Sequence, residues 1–184
     1  MTGQQHLHAV GAADTDLRPF MAQFPSGVAI LTSIADGGEP IGMTCTSLCS
    51  VSLRPPVLLV SIRAASPTLA AALDTGVFSL NLLDRDAGPT AALFASGKLD
   101  RFSRVPWRQP LATCGPHLFR DACVVADCEV VDRKSVADHV IVFGRVTRVT
   151  PLTGLPPLLY GLRRYAAWPA AEGAVAGQDG RHAR

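Results

Sequence analysis

The densest run of side chains able to do polar chemistry lies between Gly42 and Ser52. Hydroxyls fall there at Thr44, Thr46, Ser47, Ser50 and Ser52, just ahead of Pro55-Pro56. Hydroxyls and backbone groups at a strand end suit a polar heterocycle whose edge alternates hydrogen-bond donors and acceptors, an isoalloxazine ring being one. The same composition also reads as a polar strand end whose Ser and Thr bond their own backbone. Two further pieces suit an anion. Ser66-Pro67-Thr68 stands where a helix should begin, and the free N–H groups and dipole of a helix start favour a phosphate. Lys98 and Arg101, followed by Phe102, put two cations in a polar loop. Singly, the first is an ordinary cap and the second a solvated loop. With the hydroxyl run they fit a ligand that carries a heterocycle and a phosphate tail.

Other chemistries find little support. No Ser–His–Asp, Cys–His or paired-carboxylate arrangement stands out locally. The five histidines are His6, His8, His117, His139 and His182, and a metal centre would have to be assembled from residues far apart, so none is expected. Cys45, Cys49, Cys114, Cys123 and Cys128 are odd in number and contain no C-x-x-C. They read as small apolar residues rather than as a disulfide framework or a zinc site. Hydrophobic residues make up 48% and charged residues 17%, so a folded core is expected for most of the 184 residues. A net charge of +2 lacks the concentrated basic face that grips nucleic acid. No apolar run approaches the roughly 18 residues that a membrane span needs, and the first residues do not read as a secretory signal. A cytoplasmic protein with no nucleic-acid or membrane partner is expected.

The elements that must position these groups follow from periodicity and punctuation. The pattern predicts a helix over 16–24, with Asp16 as cap, Pro19 in its first turn, and Leu17, Phe20, Met21 and Phe24 on one face. Residues 28–34 read as a strand, and 41–47 should return antiparallel after the turn Asp36-Gly37-Gly38. Pro55-Pro56 breaks the chain before a strand over 57–62. Ser66-Pro67 starts a helix with Leu69, Ala72 and Leu73 as its buried stripe, closed by Gly76. A strand over 77–83, a short helix over 89–95, the loop 97–102 and two long strands over 122–133 and 139–149 follow. Leu158-Leu-Tyr160 and Arg163-Arg-Tyr-Ala-Ala-Trp168 end one domain spanning 14–169, with mobile tails at 1–13 and 170–184. Strand and helix do not alternate and there is no G-x-G-x-x-G, so a mainly β fold is expected: a closed antiparallel barrel with peripheral helices.

The order of short motifs adds a resemblance. Phe24-Pro-Ser-Gly-Val28, Gly42-Met-Thr-Cys-Thr-Ser47, Ser50-Val-Ser-Leu-Arg-Pro-Pro56 and Ser66-Pro-Thr68 come in sequence. Asp100-Arg-Phe102, Asp138-His139 and Gly144-Arg-Val146 follow them. Over about 17–168 the set resembles the flavin reductase family of two-component flavin-dependent monooxygenases. The resemblance implies a flavin-binding split β-barrel and a homodimer with flavin sites near its interface. It implies an NAD(P)H:flavin oxidoreductase that reduces free FAD or FMN, FAD first, with NADH ahead of NADPH as donor. The reduced flavin would go to a separate monooxygenase. Carried over by position, Met43, Thr44, Cys45, Thr46 and Ser47 line the flavin ring, with Ser61 and Ile62 beside it. Ser66, Thr68, Lys98, Arg101 and Phe102 hold the ribityl and phosphate end. His139 is the candidate catalytic residue on the nicotinamide side, and Arg164 with Tyr165 binds the dinucleotide. Three positions depart from the family pattern: Leu48 stands where Phe is frequent, Ala137 replaces Gly before Asp138-His139, and Gly161-Leu-Arg-Arg-Tyr165 replaces His-x-Gly-Arg-Tyr. Two alternatives share the barrel: a non-catalytic flavin- or haem-binding protein, and an oxidoreductase like the pyridoxamine phosphate oxidases. The absence of a local triad agrees with a reductase, because hydride transfer is carried by the cofactors while the protein positions them.

Overall fold

The computed structural model describes residues 15–168; the expected tails at 1–13 and 170–184, with residues 14 and 169 of the expected domain, lie outside them. Helix α1 (Arg18–Gln23) leads into β1 (Ser26–Gly27), β2 (Ala29–Ile34), β3 (Pro40–Cys45), β4 (Leu48–Leu53) and β5 (Pro56–Arg63). Helix α2 (Pro67–Thr75), β6 (Val77–Leu83) and α3 (Gly88–Ala95) come next, then β7 (Ala122–Val136), β8 (His139–Pro151), β9 (Leu158–Gly161) and β10 (Arg164–Ala167). Seven strands form one antiparallel sheet in the order β3-β2-β6-β7-β8-β5-β4, and β1-β9-β10 form a second.

The fold is mainly β with peripheral helices, as expected, and the barrel is split, as the resemblance implies, rather than closed, as the element pattern alone suggests. Strands β3 and β4 are joined by only Thr46 and Ser47, yet each is an edge of the large sheet and they do not pair. The reading of 41–47 as one strand also needs correction. The chain turns a corner at Thr46-Ser47, and β4 forms a hairpin with β5 instead. Its residues Leu48–Leu53 are almost all exposed, so no buried alternation marked it in the sequence.

Burial explains the strands that the sequence did show. Strand β2 is covered on both faces: its first residues Ala29, Ile30 and Leu31 are apolar, and the buried Thr32 and Ser33 hydroxyls donate to the Pro116 and Val77 carbonyls. Ala29 and Leu31 join a core with Val60, Ile62, Phe78, Leu80 and the α2 residues Leu69 and Ala72. Val28 and Ile30 join a second core with Leu83, Leu158 and the α3 residues Ala91 and Phe94. Gly144 faces the first: a Cβ there would lie 2.5 Å from the Phe78 ring. Helix α2 ends on Gly76 in the left-handed conformation, as its sequence predicts. Ser66 occupies the N-cap position, its carbonyl accepting the Ala70 N–H at 3.2 Å, but its side chain makes no cap bond and its hydroxyl donates to the Met43 sulfur at 3.3 Å.

The irregular stretch between α3 and β7 is held by buried polar groups. Asn81 donates to the Pro116 carbonyl at 3.1 Å and accepts the Leu118 N–H at 2.8 Å. Asp127 accepts from Ser79 at 2.6 Å, bonds the His117 Nε2 at 2.7 Å, and accepts from the Arg148 Nε at 2.7 Å. Burial pushes the Asp127 carboxyl up, but these hydrogen bonds together outweigh it and hold it below the usual carboxylate range. Cys114 completes a buried cluster with His117 and Asp127. Both Asp127 oxygens are already engaged, one of them by a guanidinium, which makes the cluster a charge network rather than a cation cradle.

Candidate functional site

The corner between β3 and β4 opens a cleft of about 650 Å³, within the usual range for small-ligand sites. Thr46, Ser47, Leu48 and Cys49 form one wall; Met21, Ala22 and Phe24 of α1 and its exit form the other. Tyr160 of β9, Ser26, Arg18 and Arg163 complete it. A smaller recess of about 200 Å³, lined by Thr44, Cys45, Thr46, Ala95, Tyr160 and Tyr165, shares Thr46 and Tyr160 with the first. The two form one groove with a polar edge at the corner and an apolar side built from Phe24, Met21, Leu48 and Tyr160.

The corner is rigidly supported. The Ser47 hydroxyl donates to the Ser61 carbonyl at 2.7 Å and accepts the Ser61 N–H at 3.2 Å, clasping the corner to β5. Thr44 donates to the Ala91 carbonyl at 2.7 Å, tying β3 to α3. Thr46 between these anchors is exposed, and no hydrogen bond engages its hydroxyl among the described residues. Cys45 is buried, and burial pushes its thiol up to about 12, so it serves as packing and not as a nucleophile. Tyr165 is tilted against Tyr160 with ring centroids 5.4 Å apart, and burial raises its hydroxyl above the usual value.

Of the residues expected at the site, Thr44, Cys45, Thr46, Ser47 and Tyr165 therefore line the groove, and Ser61 backs it. Met43 and Ser66 contact each other beside the first core. Ile62 and Thr68 are buried, at 1% and 3% exposure; Ile62 joins the first core, and neither lines the groove. Arg101 turns inward: its Nε donates to the Lys98 carbonyl at 2.6 Å, and its Nη1 to the Gly42 and Phe94 carbonyls at 2.6 and 3.1 Å. Phe102 packs edge-on between Phe94 and Trp107. Lys98 and Arg164 are exposed and line neither part of the groove. His139 opens β8 opposite Arg63 of β5, half-buried, with its Nδ1 2.8 Å from Asp138, whose carboxyl that bond holds low. It too lies outside the groove. Sequence reasoning missed Arg18, Met21, Ala22, Phe24, Cys49, Tyr160 and Arg163 as groove residues. Cys49 lies on β4, just past the corner; the others come from α1, its exit and the small sheet, and no local motif links those elements to the corner.

A family model described as flavin reductase like domain matches residues 21–169. The chain belongs to the flavin reductase family. It is 45% identical over 153 residues to a flavin reductase (NADPH) of Lentzea aerocolonigenes, covering 83% of this chain and 89% of that one. It is 39% identical over 166 residues to a flavin reductase (NADH) of Kitasatospora aureofaciens, covering 89% and 87%. Among solved structures, the styrene monooxygenase flavin reductase of Pseudomonas putida S12 superposes with a TM-score of 0.77 at 28% identity, over 85% of this chain and 99% of that one. This reductase is accordingly an oxidoreductase built on the split-barrel architecture. None of its helices among the described residues is long and apolar enough to cross a membrane.

Proposed function

We propose that the chain uses a nicotinamide nucleotide to reduce free FAD or FMN, FAD first, and delivers the reduced flavin to a separate monooxygenase in the cytoplasm. The working unit is the domain over 14–169 as a homodimer. The observation that carries this reading is the groove at the β3–β4 corner, with Thr46 exposed on its polar edge and Phe24 and Tyr160 on its apolar side. That donor set fits a flat heterocycle with a hydrogen-bonding rim. Thr46, Ser47 and the backbone of the corner would hold the ring edge, and Tyr160 with Tyr165 would close its apolar flank. A flavin held there would supply the hydride-accepting chemistry itself, as the nicotinamide would supply the hydride. The residues of this chain position and solvate: the Ser47–Ser61 clasp fixes the corner, and hydroxyls aimed at a ring edge stabilise charge that develops on it. His139, its Nδ1 engaged by Asp138, would orient the donor on the nicotinamide side.

The groove is open along one flank, which suits a ligand that exchanges between partners. The dimer is supported by α1, which buries none of its residues: Phe20 is 68% exposed, beside exposed Leu17, Met21 and Phe24. The test is nicotinamide oxidation followed by absorbance with and without added flavin. Turnover that depends on free flavin is expected, whereas a retained chromophore that does not turn over would identify a storage protein instead.

A further inference from the structure

The β9–β10 hairpin turns on Leu162 and Arg163, with φ of +51° and +59°. Two-residue hairpin turns with both central residues left-handed ordinarily carry Gly, Asn or Asp. This turn instead presents a long cation. The Leu162 N–H donates to the Ala22 carbonyl at 2.7 Å, which locks the turn onto α1 and sets Arg163 on the cleft that Arg18 also lines. Among the described residues Arg163 forms no hydrogen bond and no ion pair. Arg18 pairs with Asp16 at 2.8 Å, and Asp16 is held low by that hydrogen bond and, more weakly, by the charge of Arg163. The cleft lining thus contains two guanidinium groups and no carboxylate. The three charges around its rim sum to one positive charge.

We propose that Arg163, with Arg18 on the same rim, forms a phosphate subsite that favours the nicotinamide donor bearing a 2′-phosphate. The proposal rests on the reading that the groove holds the nucleotide ligands. A lining that recognised the unphosphorylated donor would place a carboxylate to accept from the ribose 2′-hydroxyl, whereas a guanidinium matches a phosphate. Among the described residues, the carboxylate at this rim, Asp16, is already committed to Arg18. A planar fork with no internal partner can bond two phosphate oxygens at once. This subsite reverses the donor order that the family resemblance implies and makes NADPH the better donor.

The experiment compares the wild type with Arg163→Gly, which suits the left-handed turn position, and Arg163→Lys, which keeps the charge but not the fork. Calorimetric titration with adenosine 2′,5′-bisphosphate and with adenosine 5′-monophosphate reads binding without turnover. Kinetics with NADPH and NADH, and a separate flavin titration, read the rest. The wild type should bind the bisphosphate at least about tenfold more tightly than the monophosphate, and Arg163→Gly should cancel most of that ratio. The NADPH-to-NADH ratio of kcat/KM should fall by a similar factor, with Arg163→Lys intermediate. Equal binding of the two probes by the wild type would overturn the proposal. So would a loss in Arg163→Gly that fell equally on both donors or on the flavin, because the cations would then serve a phosphate common to those ligands. Absence of flavin-dependent oxidation of either donor by the wild type would remove the underlying reading as well, which distinguishes the two failures.

Discussion

The residue with most at stake in stability is Asp127, buried to 2% exposure and bonded by Ser79, His117 and Arg148. Its carboxyl lies below its ordinary value in the folded state, so the carboxylate form stabilises the fold. That contribution is fully present above the unfolded value, about pH 4, and is lost as pH falls through the lower folded value. Asp127→Asn should cost about 2–4 kcal/mol at neutral pH, short of the full cost of an unpaired buried charge because Arg148 remains partly exposed. Urea unfolding of both proteins checks it: the gap should narrow below about pH 4, and a gap independent of pH would show that the cost is one of shape. Neither His117 nor Asp127 stood out in the sequence. The contact spans ten residues and depends on β7 pairing with β8, whose Arg148 closes the network. Thr46 and Ser47, by contrast, were legible as hydroxyls at a strand end.

At the scale of elements, Arg101 shows how a motif residue can act through its neighbours. Its Nε and Nη1 bind three backbone carbonyls, which ties the loop after α3 to Gly42 of β3, two residues before Thr44. Arg101→Ala should therefore destabilise the protein by about 1–3 kcal/mol and weaken flavin binding through a loosened corner. Arg101→Lys should recover little of either, because an ammonium cannot reproduce the planar fork. Thermal unfolding and a flavin titration decide the matter: weaker binding at unchanged stability would put the remaining nitrogen, Nη2, on the ligand phosphate instead. Strand β4 is the element the sequence reading left unassigned, between a strand that it carried through Ser47 and another over 57–62. Its alternation of Leu48, Ser50, Ser52 with Cys49, Val51, Leu53 carries no burial contrast, and strand recognition relies on that contrast.

For the whole molecule, the exposed apolar face of α1 lacks a cover, and in the proposed homodimer a second copy of the chain would supply one by the commonest symmetry. Phe20→Asp combined with Phe24→Asp should convert the dimer to a monomer in light scattering and lower turnover, since Phe24 also walls the groove. A wild type that is monomeric at micromolar concentration would defeat the dimer reading. The amino-acid sequence by itself determined the mainly β class, most of the strands and both inner helices. Those signals are local: β2 opens on the buried apolar run Ala29-Ile30-Leu31, and α2 begins on Ser-Pro and stops at Gly76. It also carried the family, because ordered short motifs survive without any knowledge of contacts. Only the tertiary structure decided that the sheet stays split between β3 and β4, that Arg101 and Phe102 turn inward, and that α1 and the β9–β10 turn wall the groove with Arg18 and Arg163. Arg163 stands 117 residues from Thr46 along the chain. Their meeting depends on how the small sheet docks against the large one, a packing outcome that no local pattern encodes.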